Sequence, residues 1–233
     1  MPNFKREVKM MQKLRHPNVV QFLDKFESGE RVYIVTEFCS LGELTQHAEN
    51  GSLKPEQILE MSWQLINGLE YIHQEGYIHR DLKPDNIFIA EGFIAKIGDC
   101  GLGKKYEEGV RNTRNVGTPL YTPPNILVGD DQYTQKCDVY SLGLIIYFLV
   151  FGEHLFGGAR SIFDLKEKQE TMLKQLDKLT KGLNCEERFK KIFRSTLAYE
   201  EQQRITSTQL KQLFQREFFS ESKLKSPALL QLD

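Results

Sequence analysis

The sequence predicts an α+β fold in which two short strand pairs are followed by a mostly α-helical remainder. Three features lead to this fold class: alternating apolar segments at 19–38, a long amphipathic stripe that begins at Pro55, and a helix-length segment at 136–150 that is apolar on almost all sides. The chain has 233 residues, of which 40% are hydrophobic and 27% are charged. This composition suits one large domain, or two small ones, with a sizeable core.

The first elements are a helix and a strand pair. Apolar residues recur at helical spacing at Phe4, Val8, Met11 and Leu14. The helix should stop before the His-Pro-Asn segment at 16–18. The segments at 19–26 and 31–38 then read as strands around the turn at 28–30.

The later elements are mostly helices. The stripe that begins at Pro55, a good first helical residue, ends at Gly76 and predicts one long helix. A second hairpin is expected at 86–99, and a loop with little periodicity runs from about 101 to 125. Beyond the buried helix, three amphipathic helices are marked by Leu173, Leu176 and Leu179, by Phe189, Ile192 and Phe193, and by Leu210, Leu213 and Phe214.

Charge and cysteine content exclude several classes of protein. Lys and Arg number 31 against 32 Asp and Glu, a formal net charge of −1, so no general field attracts nucleic acid or an anionic membrane. The four cysteines contain no Cys-x-x-Cys pair, which favours a reduced intracellular setting over a zinc finger. The N-terminus lacks a signal-peptide core, and the apolar run at 142–152 is too short to span a bilayer. We expect a cytoplasmic protein, with the nucleus as a second compartment.

The segment YIHRDLKPDNIFI at 77–89 brings together a carboxylate, an ammonium group and an amide, those of Asp81, Lys83 and Asn86. Phosphoryl transfer needs groups of this kind to orient a hydroxyl, neutralise a phosphate and hold a metal ion. A second acid, Asp99, ends the predicted hairpin, which can bring it to the same face as Asn86 to share magnesium bound to nucleotide phosphates. One such aspartate alone is as often a turn or cap residue, but two motifs at this separation favour chemistry.

These residues resemble the catalytic half of eukaryotic protein kinases. HRDLKPDN at 79–86 is similar to the H-R-D-x-K-x-x-N catalytic loop of that family, and DCG at 99–101 stands where the family has D-F-G. The resemblance implies a kinase-like α+β fold, with a mostly helical large lobe at 38–222, part of a β small lobe at 1–37 and a tail at 223–233. It makes Asp81 the catalytic base or hydroxyl orienter, places Lys83 on the transferred phosphate, and assigns Asn86 and Asp99 to the metal.

The resemblance also implies a nucleotide site with ATP and Mg²⁺ as cofactors. EFCSLGEL at 37–44 resembles the hinge of the family, whose backbone at Glu37 and Cys39 would bind adenine. Glu43 would lie near the ribose and Phe88 beside the base. Glu7 looks like the glutamate of helix C, which pairs with an ATP-positioning lysine in the family.

A substrate region is implied as well. GTPLYTPPN at 117–125 resembles the substrate loop, and Thr118 together with Lys83 is the combination expected of serine/threonine kinases, so the partner is a protein with a Ser or Thr acceptor. Arg80 corresponds to the arginine that receives a phosphate on the activation loop, where Lys104 could join it and Thr113 is the nearest hydroxyl. Such a site implies an upstream kinase or regulatory partner.

The sequence departs from the family at four places. Only six residues precede Glu7, so no glycine-rich loop or partner lysine fits before it. We therefore expect a chain that begins inside the small lobe, exposes a sheet edge and an apolar face, and is fragile or associates in isolation. Cys100 replaces the usual Phe, and Asn125 stands where a glutamate pairs with an arginine, here Arg204.

Three functions follow from these observations. The first is a serine/threonine protein kinase, favoured because Asp81, Lys83, Asn86 and Asp99 are all present. The second is a pseudokinase that serves as a scaffold or binding module. The third, a small-molecule phosphotransferase, is disfavoured by Arg80, Lys83 and the substrate loop. The protein substrate, the pathway and the kinase subfamily do not follow from the sequence.

Overall fold

The computed structural model describes residues 8, 10–29, 31–99, 104–105, 119–129, 134–181 and 187–219. Of residues 50, 104–105, 119 and 173–181 only the backbone is described. All statements below concern these parts of the chain.

The first predicted strand pair is confirmed. Strands β1 (Phe22–Ser28) and β2 (Arg31–Thr36) are antiparallel and meet at Gly29, whose φ of 61° suits a residue without a Cβ. The first strand begins later than the sequence predicts, because Val19 forms a parallel bridge with Ile97 and Val20 donates its amide to the carbonyl of Ile97. Residues 10–13 are helical, within the predicted first helix.

One face of this strand pair is apolar and exposed, as the sequence analysis expects. Phe26 and Tyr33 are cross-strand partners whose rings stack with centroids 4.9 Å apart, yet they are 51% and 41% exposed. Leu23 and Val35 are exposed beside them. No described residue covers this patch.

The helical part forms the main core. The helices are α1 (Thr45–Ala48), α2 (Pro55–Gln74), α3 (Pro124–Leu127), α4 (Lys136–Phe151), α5 (Ile162–Lys181), α6 (Glu187–Thr196) and α7 (Ser207–Phe218). Helix α4 is buried on nearly all sides, as predicted, and packs against α2 and α6. A Cβ at Gly143 would collide with the side chain of Thr196, so this glycine allows α4 and α6 to approach closely.

Two small strand pairs frame the polar segments of interest. Strands β4 (Ile87–Ala90) and β5 (Ile94–Ile97) form the second predicted hairpin, and their buried isoleucines alternate toward the core. Strand β3 (Tyr77–Ile78) follows α2 and pairs with β6 (Lys104–Lys105). The catalytic-loop motif lies between β3 and β4, and Asp99 follows β5 directly.

Several sequence predictions require correction. The predicted loop at 101–125 contains β6, the 3₁₀ turn Pro119–Tyr121 and the start of α3, because these short elements pair or pack without any periodic signal. Helix α5 begins at Ile162, well before Leu173, since its first turns are mostly charged and half exposed. The predicted tail lies outside the described residues. No helix in the described part is both long and apolar enough to cross a membrane.

Candidate active site

The backbone of the catalytic loop is fixed by a buried carboxylate. Asp138, in the first turn of α4, accepts hydrogen bonds from the amides of His79 at 2.8 Å and Arg80 at 2.9 Å. Arg80 has a φ of 74°, a conformation that costs a non-glycine residue roughly 1–3 kcal/mol. The two bonds hold the backbone of this strained turn in place.

A histidine on α2 completes this arrangement. The Nε2 atom of His73 lies 2.9 Å from Asp138 Oδ2, and its Nδ1 lies 2.9 Å from the Ser207 hydroxyl. Burial of Asp138 acts to raise its pKa, but the hydrogen bonds from His73 and the Arg80 backbone outweigh it and hold the pKa below the ordinary aspartate value. Asp138 is therefore a stable anion inside the core.

Asp81, Lys83 and Asn86 meet on one side of the loop. The amide nitrogen of Asn86 donates to the backbone carbonyl of Asp81 at 2.8 Å and to its Oδ2 at 3.0 Å. Lys83 Nζ lies 3.4 Å from the same Oδ2. Because Nδ2 of Asn86 is used in both bonds, its Oδ1 is the oxygen left without a hydrogen bond from the described residues.

Asp99 lies next to this group through the backbone. Gly98 donates its amide to the Asn86 carbonyl at 2.8 Å, and the Gly98 carbonyl accepts from His79 Nε2 at 2.8 Å. His79 is fully buried, and its Nδ1 accepts from the Asp81 amide at 3.3 Å, which leaves the proton on Nε2. Asp99 itself is exposed and has a φ of 49°, another strained position.

The hinge segment is tied down through the side chain of Glu37. Its Oε1 accepts from the Gln21 amide at 2.7 Å and from Lys96 Nζ at 3.0 Å, while its own amide donates to the Gln21 carbonyl at 2.9 Å. Within the described part, the Glu37 carbonyl and the Cys39 amide form no hydrogen bond. Burial, and then the charge of Glu37, raise the pKa of the Cys39 thiol.

Phe88 lies between the hinge and the Asp99 segment. It is half-buried, whereas its neighbours on β4 point into the core. Its backbone forms a bridge with Glu43, and it is the cross-strand partner of Lys96. A Cβ at Gly98 would lie 2.5 Å from the Phe88 ring, so this glycine lets the ring pack on the backbone just before Asp99.

The substrate-loop segment is held from several sides. Ser141 donates to the carbonyl of Tyr121 at 2.8 Å, and Gln169 donates to that of Thr122 at 2.9 Å. The Tyr121 hydroxyl lies 2.6 Å from His154 Nδ1. Burial raises the pKa of Tyr121, so the hydroxyl keeps its proton and donates it to the imidazole.

Asn125 makes one hydrogen bond to Arg204, the arginine that the family's glutamate would pair with at this position. Arg204 is 1% exposed, and its Nη2 donates to Asn125 Oδ1 at 3.1 Å and to the Tyr199 carbonyl at 2.8 Å. Its Nε donates to the Ala198 carbonyl at 2.7 Å, and the guanidinium lies over the ring of Tyr140 at 4.9 Å. Its Nη1 and the Nδ2 of Asn125 are buried without partners in the described part.

Several predicted site residues lie outside the described residues: Glu7, Cys100, Thr113 and Thr118. Lys104 is described only by its backbone in β6, which pairs with Ile78. The Nε and Nη1 atoms of Arg80 are buried and have no partner among the described residues.

The sequence analysis missed four residues that support the site: His73, Lys96, Ser141 and Gln169. His73 had one usable signal, because the tripeptide Tyr-Ile-His occurs at 71–73 and again at 77–79. The other three reach partners on different elements, and no local pattern indicates them.

Comparison with known proteins identifies the family. The family model for the protein kinase domain matches residues 2–219. The chain is 34% identical over 154 residues to Serine/threonine-protein kinase SIK1 of Mus musculus, covering 66% of this chain and 20% of that protein. It is 39% identical over 165 residues to Serine/threonine-protein kinase 36 of Pongo abelii, covering 70% of this chain and 12% of that protein.

A third relative, Serine/threonine-protein kinase Nek5 of Homo sapiens, is 37% identical over 159 residues, or 66% of this chain and 22% of that protein. The matched region spans between 12% and 22% of the length of these three relatives. The family match over nearly the whole chain, together with its α+β fold, shows that the chain belongs to the protein kinase domain family and is similar to its serine/threonine members.

Proposed function

We propose that this chain is the catalytic region of a serine/threonine protein kinase, which transfers the γ-phosphate of ATP to Ser or Thr hydroxyls of proteins. The observation that carries the proposal is the position of Asn86. Its side-chain amide is bonded to Asp81, and its backbone carbonyl is bonded to Gly98, the residue before Asp99. The four polar residues of the proposed chemistry therefore belong to one connected unit.

Each of the four residues has a role that its surroundings support. Asp81 accepts from Asn86, which holds its carboxylate where it can orient a substrate hydroxyl and take its proton. Lys83, whose ammonium is near Asp81, can turn to the transferred phosphate and neutralise its charge. Bound Mg²⁺-ATP supplies the phosphoryl group and neutralises charge as the group leaves.

Asn86 and Asp99 suit a magnesium site. The metal prefers oxygen ligands and is usually held by one or two protein groups together with phosphates. Asn86 offers the Oδ1 that its own hydrogen bonds leave unused, and Asp99, which follows the glycine bonded to the Asn86 carbonyl, offers an exposed carboxylate. The described residues hold no larger cluster of His, Cys, Asp or Glu that could bind a metal by itself, so the phosphates would complete the site.

The hinge suits adenine. The Glu37 carbonyl can accept from the amino group of the base and the Cys39 amide can donate to its ring, because both lack partners in the described part. Phe88 offers an apolar ring on the same side, and Glu43, paired with its backbone, is the proposed ribose contact. Glu7 remains the proposed partner of an ATP-positioning lysine.

Regulation by phosphorylation of the activation loop is part of the proposal. The buried, unpartnered Nε and Nη1 of Arg80 are donors that a phosphate could satisfy. Thr113 is the proposed acceptor for an upstream kinase, Lys104 a second cation, and Thr118 a substrate-loop contact. If Thr113→Ala leaves both the activity and the phosphate content unchanged, this part of the proposal is wrong. We retain 1–37, 38–222 and 223–233 as the proposed small-lobe, large-lobe and tail segments.

The test is phosphate transfer from Mg²⁺-ATP to a peptide library with Ser and Thr at its centre, using both the 233-residue chain and the full product of its gene. Asp81→Asn should lower kcat by roughly 10²–10⁴-fold, the usual contribution of a positioned acid–base group. Asp85→Asn is the matched control, because Asp85 is exposed in the same loop. Binding of Mg²⁺-ATP without any transfer by the wild type would instead identify a scaffold.

A further inference from the structure

The segment Tyr121–Thr122 is anchored by side chains from outside the catalytic loop. Ser141 on α4 and Gln169 on α5 donate to consecutive carbonyls at 2.8 Å and 2.9 Å, and His154 binds the Tyr121 hydroxyl. The anchors thus fix the backbone of this segment at two adjacent residues. The positions of α4 and α5 therefore determine where the segment Tyr121–Thr122 lies relative to the catalytic loop.

This segment borders the catalytic carboxylate. Tyr121, Thr122 and Pro123 line a cleft of about 10 Å³ whose opposite side is formed by Arg80 and Asp81. A displacement of the Thr122 backbone would change the width of the cleft next to Asp81. The anchors of Thr122 therefore act on the distance between the segment and the catalytic loop.

Gln169 lies on the buried, apolar face of α5. Leu165, four residues earlier, and Met172, three residues later, are both buried on the same face of α5. Gln169 is itself only 1% exposed, and its Oε1 is buried without a partner in the described part. An unpaired buried oxygen opposes folding, so packing alone favours an apolar side chain here. The glutamine donates instead to the Thr122 carbonyl, and its side chain also lies beside the Tyr140 hydroxyl.

The neutral hydrogen bond from Gln169 to Thr122 matters more in this chain because the nearby contact between Asn125 and Arg204 is not a full ion pair. Asn125, three residues after Thr122, gives Arg204 one acceptor where a carboxylate would give two. Single hydrogen bonds from Ser141, Gln169 and Arg204 thus help to hold the segment at 121–125, together with the contact between Tyr121 and His154. Loss of any one of them should loosen it.

We propose that Gln169 is a positioning residue for the protein substrate: by holding the Thr122 carbonyl, it sets the place of the substrate loop beside Asp81. This inference rests on the proposed kinase function and extends it to a residue on α5. Gln169 touches neither nucleotide nor reacting atoms in this scheme, so its effect falls on binding of the protein substrate alone.

The test is Gln169→Met, which keeps the length of the side chain and removes its donor. With the Ser/Thr peptide library as substrate, KM for peptide should rise roughly two- to tenfold, the loss of about one neutral hydrogen bond. The kcat and the KM for ATP should stay within about twofold, because the lost contact serves ground state and transition state alike. Hydrogen exchange of the amides at 120–122 should become faster.

Glu167→Gln is the control, since Glu167 lies two residues before Gln169 on α5 and is exposed. It should change none of these quantities. An unchanged peptide KM in Gln169→Met would overturn the inference, as would a fall in kcat with peptide KM constant. If the wild type transfers no phosphate, the proposed function fails, and the exchange rates of the variant then decide the role of Gln169 as an anchor. Unchanged exchange at 120–122 refutes that role, and faster exchange supports it.

Discussion

Asn125→Asp should stabilise the folded chain, although it adds a negative charge to a chain whose formal net charge is already −1. Arg204 is buried, and its Nη1 has no acceptor among the described residues. Burial also lowers the pKa of Arg204, a sign that its charge is under-compensated. Aspartate has the shape of asparagine, and its second oxygen would replace the unpaired Nδ2 with an acceptor next to Arg204.

The size of the effect follows from two opposing terms. A charge-assisted hydrogen bond contributes about 1.5–3 kcal/mol, and removal of an unsatisfied buried donor adds to it. Desolvation of the new carboxylate opposes this gain, but Asn125 is only half-buried, so the cost is partial. We expect a net gain of about 2 kcal/mol, which corresponds to a rise in Tm of roughly 4–8 °C for a chain of this size.

Thermal unfolding followed by circular dichroism measures the change. Gln203→Glu is the matched control, because it adds the same charge at an exposed position near Arg204 and should leave Tm nearly constant. In an Arg204→Met background, Asn125→Asp should no longer stabilise. If Asn125→Asp lowers Tm in the wild-type background, desolvation dominates and the interpretation of the unpaired Nη1 is wrong.

Two further changes test the scaffold of the site. Asp138→Asn should lower the free energy of unfolding by roughly 3 kcal/mol, because a buried anion with four hydrogen-bonded partners is lost. The pKa of Asp138 is held below its unfolded value near 3.8, so its contribution to stability is present above about pH 4 and is lost as the pH falls through the folded value. The stability of the variant should therefore fall less steeply at acid pH than that of the wild type. An equally steep fall in both proteins would contradict this assignment. Lys96→Met should weaken ATP binding severalfold in equilibrium titrations, because Glu37 loses its ion pair, whereas Lys96→Arg should keep the wild-type affinity. Equal affinities of the two variants would show that the ion pair does not position the hinge.

The residues proposed for catalysis could be picked out from the sequence because they are local. Asp81, Lys83 and Asn86 lie within six positions, and a hairpin of predictable register carries the chain from Asn86 to Asp99. The long helices were predictable for a similar reason, since each carries its periodic stripe within its own residues. Their boundaries were less certain where the ends are charged, as at the start of α5.

The partners that hold these residues could not be predicted in the same way. Gln169 and the Thr122 carbonyl are separated by 47 positions, and His73 and Ser207 by 134. Periodicity indicates which face of a helix is buried, but it carries no information about which buried polar groups meet on that face. The sequence therefore predicts the groups proposed to react better than it predicts the residues that hold them in place.

The supports nevertheless explain why the loop keeps its strained shape. His73 Nδ1 is near a hydroxyl that can donate, so its Nε2 carries the proton and donates to Asp138. Asp138 then accepts from the His73 imidazole, from the Cys137 thiol and from two consecutive backbone amides, enough to offset the positive φ of Arg80. Because His73, Asp138 and Ser207 belong to α2, α4 and α7, the geometry at Asp81 depends on the helical core and not on the exposed strand pair β1–β2.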